Sequence, residues 1–118
     1  MLKEKEVNGI KFHLVARSWS TSRAWGHIAD LYRNGELVNT VKCRYYNRTW
    51  ECYQYQSVIK SCLYSYIEEE KKWELERFKR LFNVKRMTKH LRETFGAWLE
   101  KEPIFPVIKG LETWQEEL

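Results

Sequence analysis

Ile10, Phe12, Leu14 and Ala16 alternate with Lys11, His13, Val15 and Arg17. A period of two with one apolar set predicts a strand lying half-buried on a core. The polar run from Ser18 to Arg23, which holds Trp19, reads as a connecting loop. A second strand is expected from about Ala24 to Arg33 and a third from Glu36 to about Tyr46. Between them Asn34-Gly35 supplies two residues that accept positive φ, as a type I′ hairpin turn requires.

A two-residue turn fixes the register, and the register assigns the faces. Tyr32 with Leu37, Asp30 with Asn39, Ile28 with Val41, Gly26 with Cys43 and Ala24 with Tyr45 form the expected core face. Gly26 on that face would let a helix approach closely. Leu31 with Val38, Ala29 with Thr40, His27 with Lys42 and Trp25 with Arg44 form the expected open face.

The period then changes. Asn47 or Thr49 can cap a helix, and Glu51 suits the positive end of its dipole. Tyr55, Val58, Ile59, Cys62, Leu63, Tyr66 and Ile67 recur at helical spacing, and Phe78, Leu81 and Phe82 resume it after a charged stretch. A helix from about residue 52 to 82 would be about 45 Å long, more than a three-stranded sheet covers. Val84, Met87, Leu91, Phe95, Trp98 and Leu99 predict another helix, folded back as an αα-hairpin turning near Asn83. Pro103-Ile-Phe-Pro106 reads as an extended connector. Val107, Ile108, Leu111, Trp114 and Leu118 read as a terminal helix docked on the domain or on a second copy. The expectation is an α+β fold: a three-stranded antiparallel sheet on a long helix, then a helical hairpin and a helical tail. Residues 1–82 form the sheet and long helix and 83–118 the helical extension of a single domain.

Composition refines this picture. The chain has 118 residues, enough for one core, and 15% are aromatic. Three cysteines outside any CxxC spacing point away from a disulfide framework and towards a reducing compartment. The charged start does not resemble a signal peptide, and no apolar run nears the roughly 20 residues of a membrane span. A cytoplasmic protein of the cell that makes it, with no membrane partner, is expected.

The net charge of +5 is uneven: residues 1–50 hold nine Lys/Arg against four Asp/Glu, and residues 51–118 hold twelve of each. Within the second half, Glu68, Glu69, Glu70, Glu74 and Glu76 precede Arg77, Lys79, Arg80, Lys85, Arg86, Lys89 and Arg92. That basic run fits nucleic acid or an acidic partner, and equally a solvated helix face. Glu68 with Lys72 and Glu76 with Arg80 are expected i,i+4 surface pairs.

Catalytic chemistry finds little footing. His13, His27 and His90 have no spacing that forces convergence, and the expected register separates His27 from Cys43. Cys52 and Cys62 on one helix lie about 15 Å apart, too far to share zinc. Cys43 and Cys62 read instead as core thiols at the sheet–helix interface. Asp30 and Glu36 are too few acids for a metal-dependent nuclease, and no Gly-rich phosphate loop exists. No enzyme activity, cofactor or metal is expected.

Two surfaces remain. Trp25, His27, Lys42 and Arg44, extended by Arg48, put an aromatic ring among cations on the open sheet face. Such a face meets single-stranded nucleic acid, and the same residues also fit a Trp25–Arg44 cation–π pair that only covers the sheet. The second surface is the helical turn carrying Arg77, Arg80, Lys85, Arg86 and Lys89. A possible homodimer rests on the tail.

Arg23-Ala-Trp-Gly-His27, the Asn34-Gly35 turn, and Lys42 through Tyr45-Tyr-Asn-Arg-Thr-Trp-Glu51 into Tyr53-Gln-Tyr-Gln56 carry a resemblance. Over roughly residues 17–70 the chain resembles small proteins of phages and mobile elements in Gram-positive bacteria, a group with no catalytic motif to carry over. In size and charge, proteins of that setting resemble inhibitors of bacterial defence systems, including type II anti-CRISPR proteins. The resemblance implies a non-enzymatic inhibitor that occludes a CRISPR effector nuclease or its guide nucleic-acid complex. The alternative is a nucleic-acid-binding regulator that uses the basic, aromatic sheet face.

Overall fold

Two Asn-Gly pairs, not one, organise the sheet. Asn34 and Gly35 take φ of 48° and 83°, and Asn8 and Gly9 take 52° and 83°, so both pairs make tight hairpin turns. The computed structural model describes residues 1–46 and 55–118. The sheet has four antiparallel strands in sequence order: β1 (Leu2–Val7), β2 (Ile10–Ser20), β3 (Ala24–Arg33) and β4 (Glu36–Tyr46). Three helices follow: α1 (Tyr55–Leu81), α2 (Lys89–Leu99) and α3 (Phe105–Glu117).

The α+β class and the antiparallel sheet are as expected; the strand count is four rather than three. β1 was hidden because Leu2-Lys-Glu-Lys-Glu-Val7 has charges where apolar alternation would announce a strand. Charges of this kind are how edge strands avoid pairing with other chains. β2 also continues to Ser20, through the polar run expected to be a loop. The actual connection is Thr21 to Arg23, closed by the Thr21 N–H donating to the Ala24 carbonyl at 2.7 Å. The Thr21 hydroxyl accepts from the Ala24 N–H at 3.1 Å.

The register beside the Asn34-Gly35 turn is as read: Arg33 faces Glu36 and Tyr32 faces Leu37. It then slips at a bulge, so that Leu31 faces Asn39 and Val38 has no opposite number. The β4 residues expected inside, Asn39, Val41 and Cys43, do face the helices. Their β3 partners are Leu31, Ala29 and His27, the set assigned to the open face. The core selects that set because Leu14 and Ala16 of β2 pair with Leu31 and Ala29, and all four are buried.

α1 lays Val58, Ile59, Cys62, Leu63, Tyr66 and Ile67 on this face. Asn39 crosses the interface, donating to the Cys62 carbonyl at 2.9 Å and the Ser65 hydroxyl at 2.7 Å. Val107, Ile108, Leu111 and Trp114 of α3 complete the same core, so the tail docks on its own domain. Against β1, a Val7 methyl occupies the space that a Cβ on Gly110 would need.

The 27 residues of α1 extend about 40 Å, and its distal half outruns the sheet. There Phe78 is buried, with ring centroids 5.3 Å from Phe95 and 5.4 Å from Trp98 of α2. The expected αα-hairpin therefore forms, and Asn83 at φ 53° makes its turn. α2 itself starts only at Lys89, because Thr88 caps it by accepting from the Leu91 N–H at 3.2 Å. Pro103-Ile-Phe-Pro106 is a turn rather than an extended connector, and Pro106 lies in the first turn of α3. A proline fits there because that N–H has no helical partner to lose. The expected caps Asn47 and Thr49, and Glu51, lie outside the described residues.

Ion pairs differ from expectation by one residue: Glu68 pairs with Lys71 and Glu76 with Lys79, at i,i+3. Lys71 also reaches Glu112, tying α1 to α3. The molecule is elongated, 52 × 32 × 23 Å, with a radius of gyration of 17.1 Å. A compact chain of this length would have about 13.5 Å.

Candidate binding face of the sheet

α1 and α3 pack on one face of the sheet, and α2 packs on the part of α1 beyond it. Among the described residues the other face of the sheet is not covered, and alternation shows what it carries. β2 contributes His13, Val15, Arg17 and Trp19; β3 contributes Ile28, Asp30 and Tyr32; β4 contributes Thr40, Lys42 and Arg44. Short contacts agree with this assignment. His13 meets Glu4 at 3.4 Å, Arg17 meets Asp30 at 3.7 Å, and the Thr40 hydroxyl donates to Asp30 at 2.8 Å.

Trp19 lies near one end of this face. Its indole Nε1–H donates to the Cys43 carbonyl at 3.3 Å, and its ring lies under the Lys42 ammonium, 4.2 Å from the centroid. Gly26 makes the arrangement possible. A Cβ there would collide with the Cys43 carbonyl oxygen and lie 2.9 Å from the indole nitrogen. Gly26 thus serves a close approach on the open face, not an approach by a helix. The result is a fixed aromatic ring bordered by Arg17, Lys42 and Arg44, with the carboxylate of Asp30 nearly buried among them. A cation over an indole face is worth about 0.5–2 kcal/mol, enough to set the ring's position before any partner arrives.

The expected quartet is divided. Lys42 and Arg44 are on the open face, but Trp25 and His27 belong to the helix side. His27 is buried, with its ring 4.3 Å from Tyr55 of α1 and 6.1 Å from Trp25. Cys43 is its direct cross-strand partner, so the expected separation of His27 from Cys43 is overturned by the bulge. Cys62 donates to the Ala29 carbonyl at 3.5 Å. Burial, followed by the charge of Asp30, pushes its thiol pKa up to about 12. Among the described residues no group of three or more His, Cys, Asp or Glu converges as a metal site would. Arg48 and Cys52 lie outside the described residues.

Trp19 was missed because Ser-Trp-Ser looked like a loop, whereas Arg17 was read on the first strand but assigned to no site. The signal was present in the alternation of β2, which continues past Arg17 with serines replacing apolar residues on the inner side.

The second expected surface is also thinned. Arg77 donates to Glu102 at 2.6 Å and Glu74 at 2.9 Å, and its guanidinium sits 4.8 Å from the Trp98 centroid. It is a clamp between α1 and the turn after α2. Arg80, Lys85, Arg86 and Lys89 remain exposed at the distal turn.

No family model matches the chain, and no curated protein or solved structure aligns with it significantly. Among the described residues no helix is long and apolar enough to cross a membrane.

Proposed function

We propose that this is a non-enzymatic binding protein whose open sheet face docks on an anionic macromolecular surface. In this reading it is an anti-CRISPR-type inhibitor that occludes a CRISPR effector nuclease on or beside its guide nucleic acid. The observation that carries the reading is the Trp19 ring, fixed by the Cys43 carbonyl and Lys42 on a face that no helix of the described residues covers. A restrained aromatic group loses little freedom on docking, and the cations around it favour an anionic partner. The resemblance of residues 17–70 to phage and mobile-element proteins supplies the setting.

The test is co-elution of the purified protein with a guide-loaded effector, together with loss of target cleavage. Replacing both Lys42 and Arg44 by Ala should weaken inhibition about tenfold or more, since truncating charges at a complementary interface commonly costs this much. Separate elution from effectors of the source bacterium, with cleavage intact, would sink the inhibitor reading.

A second reading is favoured by the same ring: a regulator in which a base takes the place of Lys42 on the Trp19 ring and Arg17, Lys42 and Arg44 hold the phosphates. It requires binding to short naked DNA or RNA, with affinity falling steeply as salt rises. The inhibitor reading requires no such binding by Arg17, Lys42 and Arg44, so oligonucleotide affinity lost on replacing these three marks the regulator.

A further inference from the structure

The distal end of the molecule has a composition that packing does not explain. From Arg77 to Arg92 there are seven Lys/Arg and no acid. The fold uses two: Arg77 is held by Glu74 and Glu102, and Lys79 lies 3.9 Å from Glu76. Arg80, Lys85, Arg86, Lys89 and Arg92 are exposed and make no ion pair among the described residues. Five like charges around the α1–α2 turn repel each other, and the flanking Glu76 and Glu93 form no ion pair with them among the described residues.

At the same turn Phe82 is 56% exposed. It is not loose: its ring centroid lies 4.9 Å from Phe78 and 6.5 Å from Trp98, edge-on to the latter. Phe78 is fully buried behind it. One side of the Phe82 ring is thus supported by an aromatic cluster while much of the rest meets water. The part of the ring that packing on Phe78 and Trp98 leaves in water is apolar surface that the described residues do not cover.

We propose that the turn between α1 and α2 is a binding site for unpaired nucleotides, independent of the sheet face. A base stacks on Phe82, and the flanking phosphates are neutralised by Arg80, Lys85, Arg86, Lys89 and Arg92. Nucleic acid is favoured over an acidic protein surface because it offers a flat π-face together with dense negative charge, matching both halves of the site. The sheet face lies at the far end of the long axis. Its ring packs beside Cys43, near where α1 begins against His27, whereas the turn follows the last residue of α1.

Fluorescence anisotropy with labelled twelve-nucleotide oligo-U and oligo-dT tests this on the full chain. Wild type binds, and replacing Lys85, Arg86 and Lys89 together by Ala lowers affinity by tenfold or more. The slope of log K against log salt falls by about two, three phosphates at roughly 0.7 each. Phe82→Leu, which keeps apolar bulk but removes the π-face, weakens binding about fivefold or more while leaving the salt slope unchanged. The fold-losses of the triple variant and of Phe82→Leu are the same when measured in a Lys42→Ala, Arg44→Ala background, whatever that background itself loses, which separates this site from the sheet face.

Absence of binding by wild type at low salt overturns the proposal, as does wild-type affinity and salt slope in the triple variant. Binding that polyglutamate competes away equally well, with Phe82→Leu neutral, also overturns it, because the turn would then be a generic contact for acidic protein. Circular dichroism and melting of each variant exclude lost folding as the cause.

Discussion

At the scale of single residues, Gly26 and Cys62 make the sharpest claims. Gly26→Ala places a methyl against the backbone of β4 rather than against a flexible side chain, so relief requires the strands to part. We expect a loss of about 2–4 kcal/mol by urea denaturation, within the range for backbone-level overpacking. Indole fluorescence should shift as Trp19 loses its seat. Cys62 should resist alkylation at pH 8 in the native protein and react once urea is added, as peptide mapping would show. Its buried thiol also makes stability pH-dependent. Unfolded, it ionises near about 8.5; folded, it keeps its proton up to about 12. Between those values the folded state binds more protons, so stability falls as pH rises through the window. Burial likewise raises the Tyr66 hydroxyl, opposed by the hydrogen bond it accepts from Arg33 at 3.0 Å; its contribution adds at the upper end. Cys62→Val should flatten the alkaline loss measured by urea midpoints at pH 8 and 10.5.

At the scale of elements, the pairing of α1 with α2 depends on Phe78. Phe78→Ala should cost about 3–5 kcal/mol and release α2 before the sheet unfolds, seen as early amide exchange in residues 89–99. The period-3.6 pattern displayed both helices, the αα-turn at Asn83 and the docking residues of α3, because each must bury a stripe. The sheet was less legible. Leu37 and Val38 are both apolar, so alternation alone cannot show where β4 inserts an extra residue, and the bulge there reversed the face assigned to β3. The Asn8-Gly9 turn carried the same signal as Asn34-Gly35, but a charged edge strand beside it masked the hairpin. Half of the candidate face, Lys42 and Arg44, was readable because β4 keeps its alternation after the bulge. Trp25 and His27 were misplaced and Trp19 was lost for the reasons of register and strand length already given.

At the scale of the whole molecule, charge is arranged along the long axis. Cations gather beside Trp19 at one end and at the α1–α2 turn at the other, with Glu68, Glu69, Glu70, Glu74 and Glu76 between them on α1. Raising salt from 50 to 200 mM should therefore weaken partner binding far more than it alters the melting temperature, because exposed charges contribute little to the fold. Parallel anisotropy and calorimetry would check this. The strand order β1-β2-β3-β4 has a kinetic consequence as well. Every strand pairs with its neighbour in sequence, so the sheet is assembled from local hairpins that close quickly. The exception is the contact of β1 with α3, where Lys5 meets Glu117 and Val7 meets Gly110 across nearly the full chain. During synthesis the meander and α1 can form while β1 still has one face bare. β1 must then wait for α3, and the nascent chain is most open to misassociation in that interval.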